Sequence, residues 1–204
     1  MVAALPVESA TLPSGSRPEP QPRRKLLSDA VMGMLLFVFT EVMLFSGLIS
    51  AHTIVKAQAA GQMWPPFGQP RLPVSETAIN TAALLASGLA LVFAHLAFRE
   101  RPRQALVPMA VSVLLGAFFV VFQGREWVAL LGEGLTLTSS TYGGFFYLIV
   151  GTHALHAVAA IACLAWAWAR LKGGRLTTAQ FGAVEIFWYF VVLVWPVLYL
   201  RVYL

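Results

Sequence analysis

Five apolar stretches, each of about 20 residues or more, take up most of the 204-residue chain and leave little freedom in what it can become. They run near residues 30–55, 76–98, 104–130, 141–170 and 179–204. At 1.5 Å per residue, about 20 residues of helix span the roughly 30 Å of bilayer hydrocarbon. In that medium each backbone N–H and C=O must be satisfied within its own segment, so runs of this length are read as helices. Only 11% of the residues are charged. A soluble domain carries about 25%, so the chain lacks the polar surface that water demands. The expected fold is all-α: a polytopic membrane bundle of about five transmembrane helices.

The breaks between stretches carry their own signals. Pro65-Pro66, Pro70 and Pro73 interrupt the first loop, Arg99 to Arg103 with Pro102 the second, Gly132 and Gly134 the third, and Gly173-Gly174 the fourth. Pro108 and Pro196 fall inside predicted helices and are expected to kink them. Residues 1–27 hold five prolines and no periodic apolar pattern, and end on Arg23-Arg24-Lys25. They read as a disordered cytoplasmic tail rather than a signal peptide, preceding one membrane domain over 28–204. Ten Lys and Arg fall in the tail and in the second and fourth loops, against four (Lys56, Arg71, Arg125, Arg201) on the other side. The positive-inside rule then puts the N-terminus in the cytoplasm and the C-terminus outside. The net charge of +5 therefore reports loop topology, not a nucleic-acid partner. A single cysteine, Cys163, excludes an internal disulfide, a CxxCH haem attachment and a multi-Cys metal site.

Ionisable groups inside such helices cost at least roughly 2.5–3.5 kcal/mol to insert, so each is a candidate functional residue. Glu41 lies near mid-bilayer in the first helix, with Phe37 and Phe45 four residues to either side on its face, and His52 further along it. It reads either as a structural carboxyl bonded to a neighbouring helix or as a proton-active or lipid-anchoring group. His153 and His156 share a face of the fourth helix, and without a third ligand at matching spacing they read as interhelical hydrogen-bonding groups. Asn80, Ser87 and His95, with Gly88 beside them, mark a close helix–helix contact on the second helix. Gln123 and Glu126 end the third helix and Glu185 opens the fifth. Near a boundary such groups are cheap, so taken singly the carboxylates need no function. Trp64, Trp127 and Tyr203 suit an interfacial aromatic belt.

In order along the chain these pieces resemble subunit III of the haem-copper cytochrome c oxidases. The matching residues are Glu41 with Phe45, Trp64-Pro65-Pro66, Leu72-Pro73, Asn80-Thr81, Ser87-Gly88 and Ala94-His95. Gln123 and Glu126 follow, then Tyr142-Gly143, Phe145-Phe146, Gly151, His153 and His156, and finally Trp188, Phe190, Val191 and Trp195. Each motif is weak alone; their register over about residues 30–204 is specific. The resemblance implies the short bacterial form, without the two additional N-terminal helices of longer relatives, in the inner membrane. One departure stands out. Where the family reads Tyr-Trp-His-Phe-Val-Asp, this chain reads Phe187-Trp188-Tyr189-Phe190-Val191-Val192, and Glu185 lies three residues nearer the motif than the usual Glu.

The resemblance implies a non-redox accessory subunit of an aerobic terminal oxidase, packed on catalytic subunit I together with subunit II. Haems and copper then belong to those partners, none to this chain, and phospholipid is held in a cleft. It further implies a role in proton uptake and in protecting the catalytic subunit during turnover, with Glu41, His52 and Trp64 at the cleft and no catalytic residue or metal ligand here. The polar residues Asn80, Ser87, His95, Gln123, Glu126, His153, His156 and Glu185 form the expected interhelical network. Rival readings are a subunit III-like partner of a nitric oxide reductase, a stand-alone haem protein using His95, His153 or His156, and a small transporter. Against the last stands the lack of an evident internal repeat.

Overall fold

A computed structural model describes residues 27–59 and 66–203. Among them are five long helices: α1 (Asp29–Gln58), α2 (Val74–Glu100), α3 (Leu106–Gly132), α4 (Thr141–Lys172) and α5 (Thr178–Leu198). All five are long and apolar enough to cross a bilayer. Apart from Leu27, the tail expected over residues 1–27 lies outside the described residues, and so does Trp64.

Local chemistry sets the helix ends. Ser28 and Ser140 accept hydrogen bonds from the Val31 and Gly143 amides, capping α1 and α4. Thr177 and Gln180 form a reciprocal capping box at the start of α5. At the far ends of α3 and α4 the chain must turn left-handed, and glycine does so without steric cost: Gly134 has φ 89° and Gly174 φ 65°. Leu135 N then reaches Leu130 O at 2.9 Å, and Arg175 N reaches Arg170 O at 2.8 Å, the closures of two Schellman motifs.

Pro108 differs from expectation, while Pro196 lies inside its helix as expected. The segment 102–105 is a 3₁₀ turn, so α3 starts at Leu106 and Pro108 lies in its first turn, where the missing N–H is needed by no carbonyl. Pro196 is inside α5, and the last stretch, Tyr199–Tyr203, runs on as a π-helical turn rather than α-helix. That turn draws Tyr203 inward to 8% exposure, so it is not an interfacial side chain.

The most deeply buried helix is α5, which packs against α1, α2 and α4, while α1 is the most exposed. The α2–α5 seam repeats every seven residues on α2. Val74 meets Tyr199, Thr81 meets Trp195, Gly88 meets Val192 and His95 meets Glu185. A seven-residue spacing keeps one face of a helix turned towards its neighbour. Across the bundle, α3 approaches α5 at Gly116, against the fully buried Trp188.

Candidate functional site

Three separate polar constellations cross the interior, each tying different helices. The first joins α1 to α4. His156 Nδ1 lies 2.7 Å from the Thr152 carbonyl oxygen, which can only accept, so Nδ1 carries a hydrogen. Nε2 faces Glu41 Oε2 at 3.0 Å. A hydrogen bond on that axis needs one proton, held either by the ring as imidazolium or by the carboxyl. The pair is thus a proton-sharing dyad, set among aromatic rings. Phe37 and Phe45 from α1 and Phe187 and Phe190 from α5 all pack on the His156 ring, with centroids 5.5–6.4 Å away. The two side chains are 12% and 16% exposed, so they are mostly removed from their surroundings without being sealed off. His52, further along the same face of α1, is buried and packs on Phe145 of α4.

A second constellation joins α2, α3 and the terminal turn. Gln123 donates both amide hydrogens, to Glu126 Oε2 and to the Tyr203 hydroxyl, each at 3.0 Å. Asn80 donates to the Phe119 carbonyl at 3.2 Å and reaches Gln123 Oε1 at 3.4 Å. The Thr77 hydroxyl lies 3.0 Å from Glu126 Oε2 and 2.8 Å from the Pro73 carbonyl. Glu126 is therefore a buried member of an interhelical network, not a cheap boundary group.

The third constellation joins α2 to α5. His95 Nδ1 contacts both carboxylate oxygens of Glu185, at 2.9 and 3.0 Å. Glu185 is buried, whereas His95 is 44% exposed.

The eight polar residues grouped in the sequence thus fall into separate sets. Among the described residues Ser87 bonds within its own helix, to the Leu84 carbonyl. His153 touches aromatic rings of three helices, Phe45, Phe119 and Trp195. Thr77, Thr81 and Trp195 join the polar contacts although sequence reasoning did not single them out as a network. Their signal was the spacing of Thr77 and Thr81 around Asn80 on one face of α2.

Both ring nitrogens of His156 already face partners, the Thr152 carbonyl and Glu41. Among the described residues no three His, Cys, Asp or Glu side chains gather closely enough to hold a metal ion.

Comparison with known proteins decides what carries these constellations. The sequence model of the family described as cytochrome c oxidase subunit III matches residues 25–204. The chain belongs to that family. Cytochrome c oxidase subunit 3 of Pelomedusa subrufa is 34% identical over 182 residues, covering 84% of this chain and 67% of the relative. The subunits 3 of Sus scrofa and Cyprinus carpio are 31% and 33% identical over 179 residues, with the same coverage. The chain is accordingly an accessory membrane subunit of a cytochrome c oxidase complex, which favours that reading over a nitric oxide reductase partner, a free haem protein or a transporter.

Proposed function

We propose that this subunit carries no redox chemistry and instead supports proton uptake and turnover stability of the catalytic subunit, through the Glu41–His156 dyad. The observation that carries the reading is the hydrogen-bond arithmetic of that pair: one proton held between two ionisable groups in an aromatic setting, on the helix with the largest exposed surface.

The same reading places the chain on subunit I, together with subunit II, with haems and copper confined to those partners. It puts the N-terminus on the cytoplasmic side of a bacterial plasma membrane, following the ten-to-four distribution of Lys and Arg. Phospholipid would lie along α1. Val38, Val42, Phe45 and Ser46 of α1 face Tyr189 and Leu193 of α5 across an apolar cavity of about 480 Å³, wide enough for acyl chains.

The test is Glu41→Gln in the purified complex. Glutamine keeps a hydrogen-bonding group towards His156 Nε2 but cannot exchange the proton. The haem spectrum is expected to stay unchanged, while proton uptake slows and the enzyme inactivates after fewer turnovers. Unaltered uptake and an unaltered inactivation rate in that variant would sink the proposal.

A further inference from the structure

The end of the bundle where α2 passes into α3 and α4 into α5 is strongly basic. Residues 99–103 and 170–176 hold six Lys and Arg against one carboxylate, Glu100. Between these two connections lies a cavity of about 510 Å³ with a mixed wall: Phe98, Leu171 and Leu176 are apolar, Arg103 and Lys172 cationic. Phe98 is held by the Phe181 ring of α5, the centroids 4.7 Å apart. The Lys172 ammonium lies over the Trp168 ring, 5.6 Å from its centroid. The Trp168 indole in turn donates to the Leu106 carbonyl at 3.0 Å, tying α4 to the start of α3. Among the described residues neither Arg103 nor Lys172 has a carboxylate partner.

We propose that this cavity binds the headgroup of an anionic phospholipid, its phosphodiester held by Arg103 and Lys172 and the start of its acyl chains lying against Phe98 and Leu171. Depth is the first reason. Tryptophans gather at the boundary between hydrocarbon and headgroups, and Trp166 and Trp168 mark that level on α4. Lys172 follows Trp168 by four residues, about 6 Å along the helix. The headgroup layer adds roughly 5–8 Å to each side of the hydrocarbon, so the cations stand at the level of the phosphates.

The second reason is the supply of donors. The amides of Gly173, Gly174 and Arg175 are spent within the turn that closes α4, and the Arg170 guanidinium donates to the Arg175 carbonyl. Within the wall, recognition of an anion therefore falls to the Arg103 and Lys172 side chains. The third is the pairing of charge with apolar surface. A free inorganic anion would use the cations and leave Phe98, Leu171 and Leu176 without a role, whereas a lipid uses both. A zwitterionic headgroup would bring its own ammonium to an end already carrying six cations; a headgroup of net negative charge is drawn in by the same field. The site is separate from the apolar cavity between α1 and α5, and it stands whether or not the Glu41–His156 dyad acts in proton uptake.

The experiment is native mass spectrometry of the intact oxidase complex, delipidated in mild detergent and titrated with dioleoyl phosphatidylglycerol or dioleoyl phosphatidylcholine. Three forms are compared: the parent, Arg103→Gln/Lys172→Gln, and Arg99→Gln/Arg175→Gln, which removes the same charge from the same end but outside the cavity wall. The parent is expected to hold one more phosphatidylglycerol than the cavity variant, with affinity for that lipid lower by about fivefold for each cation removed. The control pair is expected to keep the lipid. Arg103 and Lys172 are both exposed, so glutamine at either leaves the packing intact. Should the double variant nevertheless fail to assemble, Arg103→Gln alone carries the fivefold expectation. Equal loss in the two double variants would mean a diffuse basic surface and overturn the site. So would phosphatidylcholine bound as tightly as phosphatidylglycerol, or displacement of the lipid by millimolar inorganic phosphate, which would mark a site for free anions.

Discussion

Gly116→Ala tests how the buried aromatic centre of the bundle is held. A Cβ on residue 116 would lie 2.5 Å from Trp188 Cη2, 2.9 Å from Cζ2 and 3.3 Å from Ile161 Cγ1. Carbon atoms pack at about 3.5–4.0 Å, so α3 and the indole would have to separate by roughly 1 Å. Trp188 cannot swing aside, because it is fully buried among α3, α4 and α5. Overpacking of this kind costs about 1–3 kcal/mol, or roughly a 5- to 160-fold loss in the folding equilibrium. Against it, alanine gains up to about 1 kcal/mol of helix propensity over glycine, so the net loss falls towards the lower half of that range.

The assay is unfolding in mild detergent, with two controls run alongside. Gly33→Ala and Gly47→Ala sit where nothing approaches within 4 Å, and are expected to be neutral or slightly stabilising. Repeating Gly116→Ala in a Trp188→Phe background removes the two ring atoms that collide, so the penalty should shrink by more than half. Equal stability of Gly116→Ala and the parent, or an undiminished penalty in the Trp188→Phe background, would refute the steric argument.

Two contacts on the α2–α5 seam should respond very differently to substitution. Thr81→Val strands the fully buried Trp195 indole N–H, which now donates to Thr81 Oγ1 at 2.8 Å, and should lower stability in detergent unfolding by about 1 kcal/mol, with Thr81→Ser restoring it. Glu185→Gln should cost less than Thr81→Val in the same assay, because His95 is 44% exposed and can find a replacement partner outside the seam.

The five spans were legible because the bilayer sets a minimum length, and an apolar run either meets it or does not. Glu41 was legible for a related reason: a carboxylate at mid-membrane violates the surrounding composition. What could not be read was lateral position. Distance from a helix end measures depth along the axis, so taken singly Glu126 and Glu185 looked like inexpensive boundary groups; only the family resemblance put them in an interhelical network, and both are turned into the bundle at 6% exposure. Tyr203 looked interfacial because it ends the last apolar stretch; within the π turn after Leu198 its hydroxyl meets Gln123 instead. Nor does a shared helix face say which neighbour each residue meets. Asn80, Ser87 and His95 lie along one side of α2, but one bonds to α3, one to its own helix and one to α5.

The departure in the last helix acquires a physical reading from the same seam. Position 192, where the family resemblance leads one to expect Asp, is Val192, and its Cγ1 would lie 3.0 Å from a Cβ on Gly88. Seven residues earlier on α5 is Glu185, and seven residues later on α2 is His95. Because the two helices run antiparallel, these displacements carry both partners the same two turns, roughly 10 Å, towards the same end of the bundle. A carboxylate at 192 would lie against Gly88, which has no side chain to receive it. At 185 it meets an imidazole at 2.9 Å, close to the helix ends where an ionic pair costs less to insert. Apolar packing of Val192 on Gly88 and the polar clamp at His95–Glu185 therefore belong together. Polar contacts between α2 and α5 are made at Thr81–Trp195 and at His95–Glu185, with Val192 packed on Gly88 between them.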